Sequence, residues 1–127
     1  MNRFSRGAAA FAIALLSASA ANADTLLGSY QARISEDDKH ASDGYRLDTV
    51  PQMIRQDRAN VHKFGVVDAE DQDDPWFGST DSRARLERML GKSGVMTGET
   101  RKAIADGEPV IQVDVYKNSV RVDIVGY

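Results

Sequence analysis

The chain has 127 residues, with 19 acidic and 16 basic side chains, a formal net charge of −3 and no cysteine. This length fits one domain, and the lack of cysteine excludes disulfides and thiol chemistry. The acidic balance argues against nucleic acid or anionic lipid as the main partner, because both require a basic surface.

The first 23 residues have the pattern of a cleaved export signal. Arg3 and Arg6 form a basic start, the run 7–20 is apolar and rich in alanine, and Ala21-Asn22-Ala23 is a small-residue cleavage site. The apolar run is too short to span a bilayer, and no cysteine follows it for lipid attachment. We expect a periplasmic or secreted protein without a transmembrane anchor. Removing the first 23 of the 127 residues would leave a single domain of 104 residues, 24–127. Losing the two arginines changes the net charge from −3 to −5.

The first predicted element is a strand over Leu26–Ser35. Its residues alternate with the period of two that is typical of a half-buried strand. The face expected to meet the core consists of Leu26, Tyr30, Ala32 and Ile34. A polar loop that contains His40 follows and ends in a Ser42-Asp43-Gly44 turn.

The central element is a predicted amphipathic helix that begins after Asp48 and Thr49, has Pro51 in its first turn, and stops at Gly65. At about 100° per residue, one apolar stripe forms along this helix. The stripe consists of Val50, Met53, Ile54, Val61 and Phe64.

Asp57 falls in the middle of that stripe. An unpaired buried charge is costly, so two interpretations stand. Asp57 is either a structural carboxylate paired with a cation or with backbone N–H groups, or a ligand or acid/base group in a cleft. The arginines considered as its partner are Arg33, Arg46, Arg83 and Arg121.

An acidic turn follows the helix, and its five carboxylates are a candidate calcium site. They are Asp68, Glu70, Asp71, Asp73 and Asp74. Ca²⁺ takes six to eight oxygen ligands, which a crowded acidic loop can provide. The spacing does not match the EF-hand pattern, and a solvated loop is the other interpretation.

Pro75, Trp76 and Phe77 come directly after the acids and form a candidate partner-binding segment. Adjacent residues of an extended segment point in opposite directions, so one aromatic is expected in the core and the other toward solvent. An exposed aromatic side chain is a typical anchor for a protein partner. Two aromatics that clamp the loop to the body are the alternative.

The second half of the chain predicts two more helices and a hairpin. Thr80 is expected to cap a helix that ends before Gly91, and Glu99–Ala105 forms a shorter one. The C-terminal hairpin pairs 110–116 with 120–124 across a Lys117-Asn118-Ser119 turn. We expect an α+β fold in which a small antiparallel sheet, made of the N-terminal strand and this hairpin, is covered by two main helices.

No recognised catalytic or metal motif is present. His40 and His62 are not paired at i and i+4, and no nucleophile elbow or phosphate-binding glycine loop occurs. A zinc site is therefore not expected.

The run from Ile54 to Gly65, with Asp68, Asp71, Asp74-Pro75 and Phe77 after it, resembles the corresponding run in a group of small exported bacterial proteins. The resemblance covers mainly the middle of the chain. It implies no activity and no catalytic residues.

The sequence thus favours an exported binding protein that acts on an envelope or extracellular protein and has no catalysis of its own. The first alternative is a cation-dependent, calcium-type module that uses the acidic loop. The second is a small hydrolase with Asp57 or His62 in a cleft.

Overall fold

The computed structural model describes residues 24–127, and the predicted export signal lies outside them. Three strands form one antiparallel sheet in the order β1-β2-β3: β1 Leu26–Arg33, β2 Val110–Tyr116 and β3 Val120–Gly126. The helices are α1 Val50–Ala59, α2 Thr80–Leu90 and α3 Gly98–Asp106, and a 3-10 turn covers Glu36–Lys39. The predicted α+β class is confirmed. None of the helices within residues 24–127 has the length and apolarity needed to cross a bilayer.

The strand register places one apolar face of the sheet toward the helices. Tyr30 lies opposite Val113, and Val113 lies opposite Val122, so these side chains share the buried face. Leu26 was predicted on the same face, but 55% of it is exposed. The prediction is wrong because the register shifts between Leu26 and Gly28, and this irregularity breaks the alternation of side chains.

The core lies between that face and the helices. α1 packs against α2, while α2 and α3 contact β3. Tyr30 and Phe77 meet edge to face in this core, with ring centroids 6.2 Å apart. The other fully enclosed apolar side chains are Ala32, Ile34, Ile54, Leu86, Leu90, Ile104, Ile111 and Val113.

α1 begins where the capping residues predict. The Thr49 hydroxyl accepts the backbone N–H of Gln52, and Gln52 Oε1 accepts the N–H groups of Asp48 and Thr49, so a capping box satisfies the helix start.

The end of α1 differs from the prediction. The chain continues beyond Ala59 as a π-helical turn over Asn60–Phe64 and stops at Gly65, whose φ of 69° is left-handed. A π turn is wider than an α turn and changes the direction of its side chains. Val61 is therefore only half-buried and Phe64 is 44% exposed, which corrects their placement on the buried stripe.

Two other helix ends depend on polar side chains. Ser79, one residue before the predicted Thr80, caps α2 by accepting the N–H of Ser82. At the other end of the fold, the buried Lys39 ammonium donates to the carbonyl oxygens of Ala105 and Gly107. A cation is favourable there because the carbonyl groups at the end of α3 have no helical partners.

Asp38 ties the 3-10 turn to the π turn. Its carboxylate accepts the N–H of Ser35 at 3.0 Å and Asn60 Nδ2 at 2.9 Å, and the residue is 2% exposed. Burial raises the pKa of Asp38 from 3.8 to about 7, although both hydrogen bonds oppose the rise.

We predict that Asp38 makes the protein less stable as the pH rises. A raised folded-state pKa of an acid stabilises the fold fully below about pH 4, and this contribution is lost as the pH rises through about 7. Since one pKa unit corresponds to about 1.36 kcal/mol, the loss is up to about 4 kcal/mol. Asp38→Asn keeps the neutral form, and amide flips of both Asn60 and Gln56 restore the hydrogen bonds among the three side chains.

The measurement is urea unfolding of wild type and Asp38→Asn between about pH 4 and pH 8. Titrating groups that are not coupled to Asp38 are common to both proteins and cancel in the difference. The stability of the variant relative to wild type should increase with pH, and a constant difference would contradict the assignment.

Candidate functional site

The acidic loop lies along the free edge of β1. Asp71 Oδ1 accepts the N–H of Arg33 at 2.9 Å, and Gln72 exchanges hydrogen bonds with the N–H and carbonyl of Gln31. Glu70 forms a two-point ion pair with the Arg33 guanidinium. The loop therefore covers strand groups that would otherwise be open to pairing with another chain.

Asp74 is the loop residue that enters the body of the protein. Its Oδ1 accepts the N–H groups of Trp76 and Phe77, and its Oδ2 accepts from Arg58 at 2.8 Å and His62 at 2.7 Å. Burial alone would raise the pKa of Asp74, but these four donors stabilise the carboxylate and lower it below its usual range. Asp74 thus fixes the direction of the segment that follows it.

Asp57 is completely buried and pairs with its neighbour Arg58. Arg58 Nε donates to Asp57 Oδ2 at 2.8 Å, and the guanidinium also lies 4.1 Å from the ring centroid of Tyr30. Burial raises the pKa of Asp57 well above its usual range. Asp57 Oδ1 and the Tyr30 hydroxyl have no hydrogen-bond partner among the described residues.

The arginines considered as partners of Asp57 were the wrong ones. Asp57 pairs instead with Arg58, although side chains at i and i+1 of a helix do not usually face each other. The long side chain of Arg58 brings the guanidinium back to Asp57 while it also reaches the acidic loop. This pairing supports the structural interpretation of Asp57.

The five acids of the loop do not converge on one point. Among the described residues, the possible metal ligands that lie within 4.8 Å of one another in a group of three are His62, Asp73 and Asp74. Asp68, Glu70 and Asp71 are outside this group. Asp74 Oδ2 already accepts from Arg58, which leaves His62 Nδ1 and Asp73 Oδ1, 3.6 Å apart, as the accessible pair. This set could hold one small cation at most.

The Pro75-Trp76-Phe77 segment is divided between core and surface. Phe77 is 2% exposed and belongs to the core, whereas Pro75 is exposed. Trp76 is half-buried and packs over Gly28, where an added Cβ would lie 2.8 Å from indole Cη2. The two aromatics hold the loop to the sheet, and only part of the indole is open to a partner.

A polar cleft lies between α1 and α2. Its cavity has a volume of about 320 Å³. The charged side chains at its wall are Arg55, Lys63, Arg83 and Glu87. Arg55 makes an ion pair of 2.9 Å with Glu87, so the cleft carries two further positive charges on a protein that is acidic as a whole.

Arg83 has a different environment from the other buried cations. Arg58 is paired with two carboxylates, and Lys39 is bound by carbonyl oxygens at the end of α3. Arg83 is 5% exposed, and within the described residues its guanidinium makes one hydrogen bond, at 3.1 Å to the carbonyl of Phe77. A guanidinium has five N–H donors, so most of those of Arg83 have no protein acceptor. A partly desolvated cation without a counter-charge is a favourable site for an anion.

This cleft was not identified from the sequence. The arginines of α2 form a basic face whose members look equivalent, and only the packing of α2 on α1 distinguishes the buried Arg83 from the exposed Arg88. One available signal was the position of Arg83, three residues before the buried Leu86 and therefore on the core side of the helix.

We predict that Arg58→Met destabilises the protein by about 3–5 kcal/mol, because it leaves Asp57 and Asp74 buried without their cation. Urea unfolding measures the change, with the exposed Arg88→Met as the control, expected within about 0.5 kcal/mol of wild type. A cost below about 1 kcal/mol for Arg58→Met would show that the cluster does not hold the fold.

A second prediction concerns Trp76. Gly28→Ala should cost about 1–3 kcal/mol in the free energy of unfolding, because the new methyl group overlaps the indole. In a Trp76→Ala background the part of this cost that comes from the overlap should disappear, while the part that comes from the φ of 159° at Gly28 stays, so a double-mutant cycle by urea unfolding isolates the contact. An equal cost in both backgrounds would mean that Trp76 does not pack on Gly28.

Comparison with protein-family models, curated proteins and solved structures found no match. The functional conclusion therefore depends on the geometry of the site.

Proposed function

We propose that this protein is an exported binding protein without catalysis of its own, and that it recognises an anionic group of its ligand in the cleft between α1 and α2. The observation that carries the proposal is Arg83, a buried guanidinium that has one carbonyl partner and no carboxylate partner within residues 24–127. Export is supported by the signal pattern of residues 1–23.

The surroundings of Arg83 favour an anion over a neutral ligand. Lys63 and Arg55 line the same cavity, and Glu87 is already paired with Arg55. Since the cavity walls exclude part of the solvent, each charge–charge interaction inside it is stronger than at an open surface. The volume of about 320 Å³ is at the lower end of the range of ligand pockets, which fits one charged group and its immediate substituents.

A hydrolytic function has less support. Asp57 is enclosed and paired with Arg58, and His62 Nε2 is hydrogen-bonded to Asp74. Neither residue lines the cleft between α1 and α2. Within the described residues no serine or threonine hydroxyl makes a hydrogen bond to His62, as a nucleophile and its base would require.

The second candidate is the cation-dependent module, now reduced to His62, Asp73 and Asp74. A site with an imidazole nitrogen suits a transition ion such as Zn²⁺ better than Ca²⁺. This candidate ranks below the cleft because Asp74 is committed to Arg58 and Asp73 is 85% exposed.

We predict that acetate or phosphate stabilises the wild-type protein through Arg83. At ten times its dissociation constant, a bound anion adds about 1.4 kcal/mol to the free energy of unfolding. Thermal melts at fixed ionic strength, with chloride as the replaced ion, measure the rise in Tm. Because phosphate also stabilises proteins generally by exclusion from their surface, the readout is the difference between wild type and Arg83→Gln.

The matched control is Arg88→Gln, which removes the same charge from an exposed position of α2. A saturable rise that is lost in Arg83→Gln and kept in Arg88→Gln supports the proposal, whereas equal rises in all three proteins contradict it. Zn²⁺ and Ca²⁺ tested in the same melts address the second candidate. A saturable rise that Asp73→Asn abolishes and Arg83→Gln does not would favour the metal site instead.

A further inference from the structure

A second cavity lies beside the cleft on α1 and its π turn. It has a volume of about 470 Å³ and lies between α1 with its π turn and the loop 40–44. Ser42, Gln56 and Phe64 line both cavities, so the two form one continuous groove, which we call the α1 groove. Both cavities are open to solvent on one side.

The length of the α1 groove corresponds to a short extended peptide. It follows the helix from Gln52 to Phe64, a distance of about 18 Å at 1.5 Å per residue. An extended chain covers this distance with about five or six residues. A small molecule is generally enclosed by its pocket, whereas an open groove of this length leaves one side of a bound chain in water.

The floor of the α1 groove offers both a donor and an acceptor. Gln52 accepts with Oε1 in the helix cap, so its Nε2 is free to donate a hydrogen bond. Gln56 donates with Nε2 to Asn60, so its Oε1 is free to accept one. Neither free group has a partner among the described residues. The two side chains are one helical turn apart, about 5–6 Å between Cβ atoms. A peptide backbone can use both groups, whereas the apolar chain of a fatty acid can use neither.

The two cavities of the α1 groove differ in chemistry. Arg55, Lys63 and Arg83 line the first cavity only, Val66 lines the second only, and Phe64 lies between them. Phe64 and Val66 are 44% and 46% exposed. Exposed apolar side chains beside a cavity are typical of a protein-binding site. The cations of the first cavity attract an acidic group locally, whereas the acidic net charge of the chain opposes its approach at long range.

We propose that the α1 groove binds an extended peptide segment of a partner protein that places an aspartate or glutamate in the cavity of Arg83 and an apolar side chain against Phe64 and Val66. This inference builds on the proposed function, because the acidic side chain is the anionic group that Arg83 recognises. The glutamines of α1 bind the backbone between the two side chains.

The loop 40–44 forms one wall of the α1 groove, and backbone hydrogen bonds order it without a ligand. The Ala41 N–H donates to the carbonyl of Tyr45, the Gly44 N–H donates to that of Ala41, and His40 and Arg46 form a β-bridge. Gly44 has a φ of 95°, a left-handed conformation that the turn requires. A preformed wall reduces the ordering cost of binding.

The experiment is selection of a displayed library of random peptides, each about six residues long, on the purified protein, followed by fluorescence anisotropy of the enriched peptides. We expect the peptides to contain an acidic residue and an apolar residue. Changing the acid to its amide should weaken binding to wild type about tenfold or more, and should have little further effect on Arg83→Gln.

The apolar contact is tested with Phe64→Ser, and Val67→Ser is its control, because Val67 is 59% exposed and lines neither cavity. Phe64→Ser should weaken peptide binding about tenfold or more, while Val67→Ser should change neither peptide binding nor the acetate effect on Tm. Since Phe64 is partly exposed, its replacement leaves the core unchanged.

Three results would overturn the inference. The first is a library that yields no enriched peptide. The second is enriched peptides that bind Arg83→Gln as well as wild type. The third is Phe64-dependent binding of decanoate without binding of the peptides. If acetate still stabilises wild type through Arg83 in any of these cases, the peptide ligand fails and the anion site stands. If acetate also has no Arg83-dependent effect, both proposals fail.

Discussion

The ion cluster around Arg58 is the interaction on which the rest of the structure depends. Arg58 joins α1 to the acidic loop through Asp74 and the carbonyl of Gln72, and to β1 through the face of Tyr30. Asp74 in turn binds the N–H groups that position Phe77 in the core, and the carbonyl of Phe77 accepts from Arg83. A single chain of contacts thus leads from the buried cluster to the cleft.

The two buried arginines of this chain of contacts have opposite electrostatic environments. Arg58 is compensated by two carboxylates, and such a cluster is costly to disrupt because each remaining charge would be left buried. Arg83 has no such compensation from the part of the chain that the structure describes. Because packing holds this cation in place, it supports the proposed anion site as one that is ordered before the ligand binds.

Much of the fold could be predicted from local patterns. Period-two alternation located the three strands, and Thr49 and Pro51 located the start of α1. The π turn after Ala59 could not be predicted, because its hydrogen bonds differ from those of an α-helix while its sequence does not look unusual. The same turn moves Phe64 from the expected core to the α1 groove.

The site was less predictable because it depends on which charges meet in space. Composition alone made the acidic loop a candidate for calcium, whereas in the fold Glu70, Asp71 and Asp74 accept hydrogen bonds from arginines and backbone N–H groups. Arg83 looked like one of several arginines on a basic helix. Only the contact between α1 and α2 shows that it is buried and faces a cavity.

The most direct test of the central claim is an NMR titration of the arginine side-chain Nε–H signals with acetate at constant ionic strength. The claim predicts a saturable shift of the Arg83 signal, while the compensated Arg58 and the exposed Arg88 stay nearly unchanged. If the Arg83 signal moves no more than that of Arg88, the cleft is not an anion site and the account is contradicted.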